Sequence, residues 1–249
     1  MRQEGTQDVF WNPWHGCTKI SPGCMHCYVY RRDEAVGAAI ASSQCRKTGQ
    51  FSLPVSRKRD GTDKIPDGAC IYTCFTSDFL LRDADSWREQ CWSMMRQRSA
   101  CRFIFFTKRI ERLEACLPLD WGDGYPNVTI GCTVENQAMA DRRIPVFLRL
   151  PIRHRMLVAE PLLEALDLSA YLGERIEEVC AGGESGEDAR PCRYDWILSL
   201  REQCAASGVR FRFHQTGARL IKDGREYQIR RADQISQARR AAIDYPGGK

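Results

Sequence analysis

The sequence has 249 residues, of which 43% are hydrophobic and 28% are charged, and its net charge is +5 at neutral pH. This length suits one large domain or two small ones, and α/β barrels often reach it as a single unit. The composition excludes a low-complexity chain, and no apolar run approaches the roughly 18–20 residues of a membrane span. The first residues lack the basic and apolar parts of a signal peptide. We therefore predict a cytoplasmic protein with no membrane partner.

Apolar runs rich in β-forming residues alternate with helical patterns along the chain. The predicted strands are 8–11, 69–75, 101–106, 127–134, 155–160, 177–183 and 209–213, and the predicted helices are 28–42, 84–99, 135–144, 162–172 and 193–206. This alternation predicts parallel strands joined by crossover helices. We predict an α/β fold, a partial (β/α) barrel of six to seven strands, with a doubly wound open sheet as the alternative. The barrel would comprise residues 1–217, with a polar loop or insertion at about 45–68, and residues 218–249 would form a basic C-terminal extension.

Positive charge is concentrated in two segments. Residues 210–249 carry ten Lys/Arg against four Asp/Glu, and residues 46–64 carry six against two. Such segments either contact the phosphates of a nucleic acid or form solvated surface, and the sequence favours neither.

Polar residues follow the predicted strands, where a parallel α/β fold collects its functional groups. A single such residue is usually a helix cap. Groups of both charges after nearly every strand instead predict a site for a polar ligand. They are Asn12, Thr76, Ser77, Asp78, Thr107, Lys108, Arg109, Glu135, Asn136, Glu160, the GGESG turn at 182–186, His214 and Gln215. The GGESG turn is typical either of a backbone that approaches a phosphate or of a tight βα connection.

Three cysteines lie close together in the loop GCTKISPGCMHCY, residues 16–28. Cys17, Cys24 and Cys27 allow three interpretations. They bind zinc with His15 or His26 as the fourth ligand, they are inert thiols, or they hold a [4Fe–4S] cluster that keeps one iron free for a small molecule. A loop rich in Gly, Pro and Ser is not a core, which disfavours inert thiols. The other ten of the 13 cysteines are expected to be small apolar residues in a reducing compartment.

A three-cysteine loop after the first strand of a (β/α) barrel resembles the radical S-adenosylmethionine (SAM) superfamily. Its usual spacing is C-x3-C-x2-C with an aromatic residue before the last cysteine, whereas this chain has C-x6-C-x2-C with His26 at that position. The chain is more closely similar to a phage and bacterial family with a three-cysteine motif and no assigned function. The similarity rests on WNPWHGCTKISPGCMHCY, FFTKRIER, TVENQAMADRRIP, AEPLL, GGESGEDARP and FRFHQTG. In the last motif that family usually has Lys and Trp where this chain has His214 and Thr216.

The resemblance implies roles for particular residues. Cys17, Cys24 and Cys27 would bind the [4Fe–4S] cluster. The SAM contacts would be His26 and Tyr28 near the adenine, Asp78 at the amino group, Lys108 or Arg109 at the carboxylate, Glu135 at the ribose, and Gly182, Gly183 and Ser185 along the adenine or ribose. Glu160, Glu184, His214 and Gln215 would face the substrate. Cys74, Cys132 and Cys180 near strand ends would be core residues, with an auxiliary cluster or a hydrogen-atom donor as the alternative.

The resemblance also implies a function. We expect a radical SAM enzyme that abstracts a hydrogen atom from a nucleic-acid base or modified nucleotide, as in an isomerisation step of phage DNA hypermodification, in the cytoplasm of the host cell. An external reductant of the flavodoxin or ferredoxin type would supply the electron. The alternatives are a zinc protein that binds nucleic acid and an iron–sulfur protein without SAM chemistry. The sequence does not indicate an oligomeric state.

Overall fold

The computed structural model describes residues 7–37 and 42–248. Its strands in chain order are β1 (Asp8–Trp11), β2 (Trp14–His15), β3 (Arg46–Lys47), β4 (Cys70–Thr73), β5 (Arg102–Thr107), β6 (Val128–Thr133), β7 (His154–Ala159), β8 (Glu178–Gly182), β9 (Cys192–Arg193), β10 (Arg210–Gln215), β11 (Arg219–Lys222) and β12 (Arg225–Gln228). Its α-helices are α1 (Tyr28–Ala35), α2 (Asp85–Gln97), α3 (Leu113–Cys116), α4 (Gln137–Arg149), α5 (Tyr194–Ala206) and α6 (Gln234–Arg240). None of these helices has the length and apolar character needed to cross a membrane.

The main sheet confirms the predicted fold class. Seven strands form it in the order β1-β4-β5-β6-β7-β8-β10. The pairs β1/β4, β4/β5, β7/β8 and β8/β10 are parallel. The sheet curls into a half-barrel flanked by helices, which is consistent with a partial (β/α) barrel. All seven predicted strands are present, and their ends differ from the prediction by at most two residues.

Two compact units divide the chain. Among the described residues, the first comprises 7–18, 29–37, 42–131 and 150–154, and the second comprises 19–28, 132–149 and 155–248. Aromatic side chains fill the core of the first unit, where Phe79 stacks on Trp14 with ring centroids 5.5 Å apart and contacts Phe105 at 4.6 Å. In the second unit, Val179, Ile197 and Phe211 are buried between strands and helix α5. Each unit thus has its own apolar core.

Residues 45–68 are mainly turns and irregular backbone, as the sequence predicts. They include the short strand β3, which pairs with β2, and a 3₁₀ turn at Leu53–Val55. In the segment 218–249, β12 and β11 form a hairpin and β11 also pairs with β9. Further along, Tyr245 and Phe211 exchange backbone hydrogen bonds of 2.9 Å, so this segment also covers strand β10.

The predicted helix at 162–172 is wrong. Leu162, Leu166 and Leu168 are buried at a spacing that imitates one face of a helix. Their backbone groups are instead bonded to side chains, since the Asp167 N–H donates to Gln137 Oε1 at 2.8 Å and the Leu168 N–H donates to Gln203 Oε1 at 2.7 Å. Side-chain acceptors therefore satisfy backbone donors that a helix would have bonded internally. For the predicted helix 28–42, residues 38–41 lie outside the described residues, and α1 ends at Ala35.

Candidate functional site

The cysteines separate into two groups by burial. Cys17, Cys24, Cys27 and Cys45 are half-buried, and the other nine are buried. Burial raises the pKa of Cys74 well above its usual value and raises those of Cys192 and Cys204 to about 12. A thiol with a raised pKa stays protonated when nothing is bound and is a weak nucleophile. The expectation of core residues is confirmed for nine of the ten cysteines outside the loop, and Cys45 is the exception.

A single turn presents two of the loop thiols in the second unit. Residues Pro22–Cys24 form a 3₁₀ turn, and the Cys27 N–H donates to the Cys24 carbonyl at 3.4 Å. This hydrogen bond closes a turn that begins at Cys24 and ends at Cys27. The turn keeps the backbones of the two cysteines close together.

A hydrogen bond to Glu135 fixes the position of this turn. The Gly23 N–H donates to Glu135 Oε1 at 3.1 Å, and Arg143 Nη1 donates to Glu135 Oε2 at 2.7 Å. Arg143 also donates to the Thr133 carbonyl at 2.8 Å. Glu135 is 0% exposed, and a Cβ on Gly23 would lie 3.0 Å from its carboxyl carbon. This geometry indicates a residue that positions the loop, and the ribose contact assigned to Glu135 stays a prediction.

Arg190 is a second support for the same turn. Its guanidinium donates to the Pro22 carbonyl at 3.0 Å and to Glu184 Oε1 at 2.5 Å. The Arg190 backbone N–H and Nε both donate to Glu184 Oε2, at 3.0 and 2.9 Å. The buried Glu184 carboxylate is thus occupied in orienting Arg190. The substrate contact assigned to Glu184 stays a prediction.

The stability contributed by Glu184 is expected to depend on pH. Burial raises the pKa of its carboxyl, but the hydrogen bonds and charge of Arg190 outweigh burial and hold the pKa below the usual 4.5. A lowered pKa in the folded state means that this stabilisation is present above about pH 4.5 and is lost as the pH falls through the folded-state value. The difference in unfolding free energy between the wild type and Glu184→Gln should therefore shrink below that pH. Urea unfolding at several pH values measures it, and a difference that grows towards low pH would contradict the assignment.

In the first unit, hydrogen bonds fix the backbone around Cys17. The Cys17 N–H donates to the Ser42 carbonyl at 2.7 Å, Ser77 Oγ donates to the Gly16 carbonyl at 2.5 Å, and the Tyr30 hydroxyl donates to the Cys17 carbonyl. Arg109 Nη2 donates to Thr18 at its carbonyl and hydroxyl, at 2.6 and 2.8 Å. The residues on both sides of Cys17 are therefore held in place.

Asp78 and Arg109 form a buried pair in the first unit. Arg109 Nη1 lies 3.3 Å from Asp78 Oδ2, which also accepts the Lys108 N–H at 3.0 Å. Asp78 Oδ1 accepts the Thr107 hydroxyl at 2.8 Å and the Leu80 N–H at 2.9 Å. The hydrogen-bonding capacity of both side chains is thus largely used within the chain. Their assigned contacts with the SAM amino and carboxylate groups stay predictions.

Glu160, His214 and Gln215 come together in the second unit, as their predicted common site requires. His214 Nδ1 lies 2.9 Å from Glu160 Oε2 and 3.1 Å from Oε1, and the Gln215 amide donates to Oε1. Burial raises the pKa of the Glu160 carboxyl, but His214 and Gln215 outweigh it and the pKa is lowered. His214 and Gln215 belong to the end of strand β10, whereas the sequence placed them after it.

Close packing explains the first two glycines of the GGESG turn. A Cβ on Gly182 would lie 3.0 Å from the Gln215 carbonyl oxygen, and one on Gly183 would lie 2.4 Å from the Thr216 carbonyl oxygen. This supports the tight βα connection, one of the two interpretations of the turn. Their proposed contact with SAM stays a prediction.

Replacing Gly183 by alanine is expected to lower the free energy of unfolding by about 1–3 kcal/mol. The new methyl group would overlap the backbone of Thr216 and Gly217, the residues that follow β10. Gly49→Ala is the matched control, since nothing lies within 4 Å of its Cβ position. Chemical denaturation of both variants measures the effect. Equal stability of the two variants would show that the turn relaxes without cost.

The remaining predicted residues are accessible. His26, Lys108 and Ser185 are half-buried, and Tyr28 is exposed. Sequence reasoning missed three residues that organise the site, Thr18, Arg143 and Arg190. Arg143 and Arg190 do lie within the motifs TVENQAMADRRIP and GGESGEDARP, so the motifs contained the signal but not the roles.

Comparison with known proteins identifies a family. A family model described as "Protein of unknown function (DUF5131)" matches residues 5–241. The chain belongs to this family. No curated protein and no solved structure matches it.

Proposed function

We propose that this member of the DUF5131 family is a radical SAM enzyme whose [4Fe–4S] cluster is held by Cys17, Cys24 and Cys27. The observation that carries the proposal is the contrast among the cysteines. The three loop thiols are half-buried on a backbone fixed by hydrogen bonds, whereas nine others are buried and burial raises the pKa of the remaining half-buried thiol, Cys45, to about 11. Thiolate ligands need this combination of access and fixed geometry.

The donor set suits such a cluster, because it offers three thiolates and leaves one iron without a protein ligand. Held by these residues, the cluster would supply the electron for the reductive cleavage of SAM, which is the source of hydrogen-atom abstraction in this class of enzyme. The chain's own residues provide position and exclusion of water. Glu135 and Arg190 hold the turn that carries Cys24, and Arg109 holds Thr18 beside Cys17.

The half-buried or exposed side chains keep their proposed roles. His26, Tyr28 and Lys108 are available for contacts with SAM. In the second unit, His214 and Glu160 offer a proton donor and acceptor 2.9 Å apart for a polar substrate. A flavodoxin or ferredoxin type of protein would supply the electron.

We propose a nucleic-acid base or modified nucleotide as the substrate, as in a rearrangement step of phage DNA hypermodification. Exposed cations near the C-terminus support this class. They are Lys222, Arg225, Arg230, Arg231, Arg239 and Arg240. Arg225 and the exposed Tyr227 both lie on the hairpin strand β12. Arg225 would contact a phosphate, and Tyr227 would offer an aromatic surface on which a base can stack.

Arg225→Ala is expected to weaken DNA binding and to reduce the slope of log affinity against log salt by about 1, because one phosphate contact is lost. Arg153→Ala is the control, since Arg153 is an exposed cation outside both basic segments. Fluorescence anisotropy with a labelled oligonucleotide at several salt concentrations measures both. Unchanged affinity in Arg225→Ala would argue against this surface.

Anaerobic reconstitution tests the cluster itself. The protein reconstituted with iron and sulfide should hold about four of each per chain. Adding SAM should change the EPR spectrum of the reduced cluster, because SAM binds its free iron. A colourless protein that retains zinc at the loop cysteines would instead support a metal protein that binds nucleic acid. A cluster whose spectrum ignores SAM would support an iron–sulfur protein without SAM chemistry.

A further inference from the structure

A second group of metal-binding side chains lies in the second unit. One ligand atom each from Glu160, Cys180 and His214 lies within 4.8 Å of the other two. Among the residues that the structure describes, no other group of three His, Cys, Asp or Glu side chains has its ligand atoms this close together. The resemblance to radical SAM proteins assigned Glu160 and His214 to the substrate and left Cys180 as a core residue.

Strand pairing brings these three residues together. Cys180 on β8 pairs with Val158 on β7 and with Arg212 on β10. Glu160 follows Val158 by two residues, and His214 follows Arg212 by two. Both residues therefore lie just beyond the partners of Cys180 in the sheet.

A bulge at the end of β10 is an independent sign of a functional position. The pairing with β8 shifts between Phe213 and Gln215, so His214 is the extra residue. Such bulges re-aim a side chain and occur often beside active sites. Here the bulge places the His214 ring against the Glu160 carboxylate, 2.9 Å away.

We propose that Glu160, Cys180 and His214 bind a single divalent metal ion, of the class that includes Zn²⁺, Co²⁺ and Fe²⁺. Thiolate, imidazole and carboxylate are together a ligand set for such ions. Ligand atoms of a tetrahedral zinc site lie about 3.4–3.6 Å apart, so the site closes on an ion by small side-chain movements. Three protein ligands leave a fourth position for water or for an oxygen or nitrogen of a substrate.

Neighbouring residues support the ligands. Gln215 donates to Glu160 Oε1, and Oε2 lies 2.9 Å from His214 Nδ1, so an ion would take the place of the proton between that oxygen and that nitrogen. The Gln215 amide is itself oriented, because its Oε1 accepts Arg231 Nη1 at 2.8 Å. Partners that orient a ligand in this way commonly strengthen metal binding.

The local charges also suit a divalent ion. Arg212 lies beside Cys180, and Arg212 Nη2 is 3.1 Å from Glu178 Oε1. The Arg212–Glu178 pair carries no net charge. The negative charges of the Cys180 thiolate and the Glu160 carboxylate together balance those of a divalent ion. Burial raises the pKa of Cys180 to about 12, so binding must release its proton to solvent.

The test uses the full chain carrying Cys17→Ser, Cys24→Ser and Cys27→Ser, stripped of metal with a chelator and titrated with Co²⁺. We expect about one equivalent of Co²⁺ with a thiolate-to-cobalt absorption band, which Zn²⁺ displaces. Adding Cys180→Ser should abolish the band, and Glu160→Gln or His214→Ala should weaken Co²⁺ binding by at least about tenfold. Because the loop cysteines are absent, the result does not depend on the proposed cluster.

Cys204→Ser is the matched control in the same background. Cys204 is buried on α5, and burial raises its pKa to about 12, as for Cys180. Circular dichroism confirms folding of each variant, and Glu160→Gln and His214→Ala decide the outcome if Cys180→Ser unfolds. No thiolate band in the starting variant would overturn the proposal. So would a band that survives in folded Cys180→Ser, or unchanged affinity in both Glu160→Gln and His214→Ala.

Discussion

Cys24→Ala and Cys27→Ala are each expected to abolish both the iron–sulfur absorption and all SAM cleavage, while Cys45→Ala retains both. Each loop cysteine supplies one of three thiolate ligands, and a cluster that loses a ligand is not held. Cys45 is a suitable control because it is the remaining half-buried cysteine among the described residues. Burial raises its pKa to about 11, so it is a protonated thiol of similar exposure outside the loop.

Iron and sulfide content, visible absorption and SAM turnover are measured on all three variants and the wild type under anaerobic conditions. Thermal unfolding of the unreconstituted chains shows whether the substitutions affect the fold itself. Equal loss of the cluster in Cys45→Ala, or a cluster retained in Cys24→Ala, would contradict the assignment of the loop as the ligand set.

Glu135→Ala is expected to lower the free energy of unfolding by about 3–5 kcal/mol, because it leaves the buried Arg143 guanidinium without its carboxylate. Arg143 is 2% exposed, so water does not replace the lost partner. The Gly23 N–H loses its acceptor as well. We therefore expect a second effect, a lower iron content after reconstitution, because the turn that carries Cys24 is no longer held.

Arg143→Met with Glu135→Ala separates the two effects. Removing both charges should restore part of the stability, since no unpaired charge remains buried. The iron content should stay low in the double variant, because Gly23 still lacks Glu135. Denaturant unfolding and metal analysis supply the two readouts. A double variant that recovers stability and full iron content would show that Glu135 has no part in holding the loop.

Local patterns predicted the strands of the main sheet. In β6, the run Val128–Thr133 is nearly all buried, as a strand covered on both faces should be. In β10, buried Phe211 and Phe213 alternate with half-buried Arg210, Arg212 and His214, a period of two that is visible in the sequence. The predicted helix at 162–172 failed because its competitors, the side chains of Gln137 and Gln203, are distant in sequence.

The candidate sites were predicted only in part. The spacing of the three loop cysteines, and the position of Glu160 and His214 near strand ends, were visible in the sequence. The contact between Gly23 and Glu135 joins residues 112 positions apart, and no local pattern reveals such a pair. The approach of Cys180 to Glu160 depends on strand order and on the bulge at His214, which are properties of the folded sheet.

The production of 5′-deoxyadenosine tests the central claim most directly. The anaerobically reconstituted protein is incubated with SAM and dithionite, and the products are separated by chromatography, with Cys17→Ala, Cys24→Ala and Cys27→Ala alongside. A radical SAM enzyme should form 5′-deoxyadenosine and methionine in equal amounts, and all three variants should form none. Intact SAM in a protein that holds a full cluster and shows no EPR change on adding SAM would contradict the proposed function.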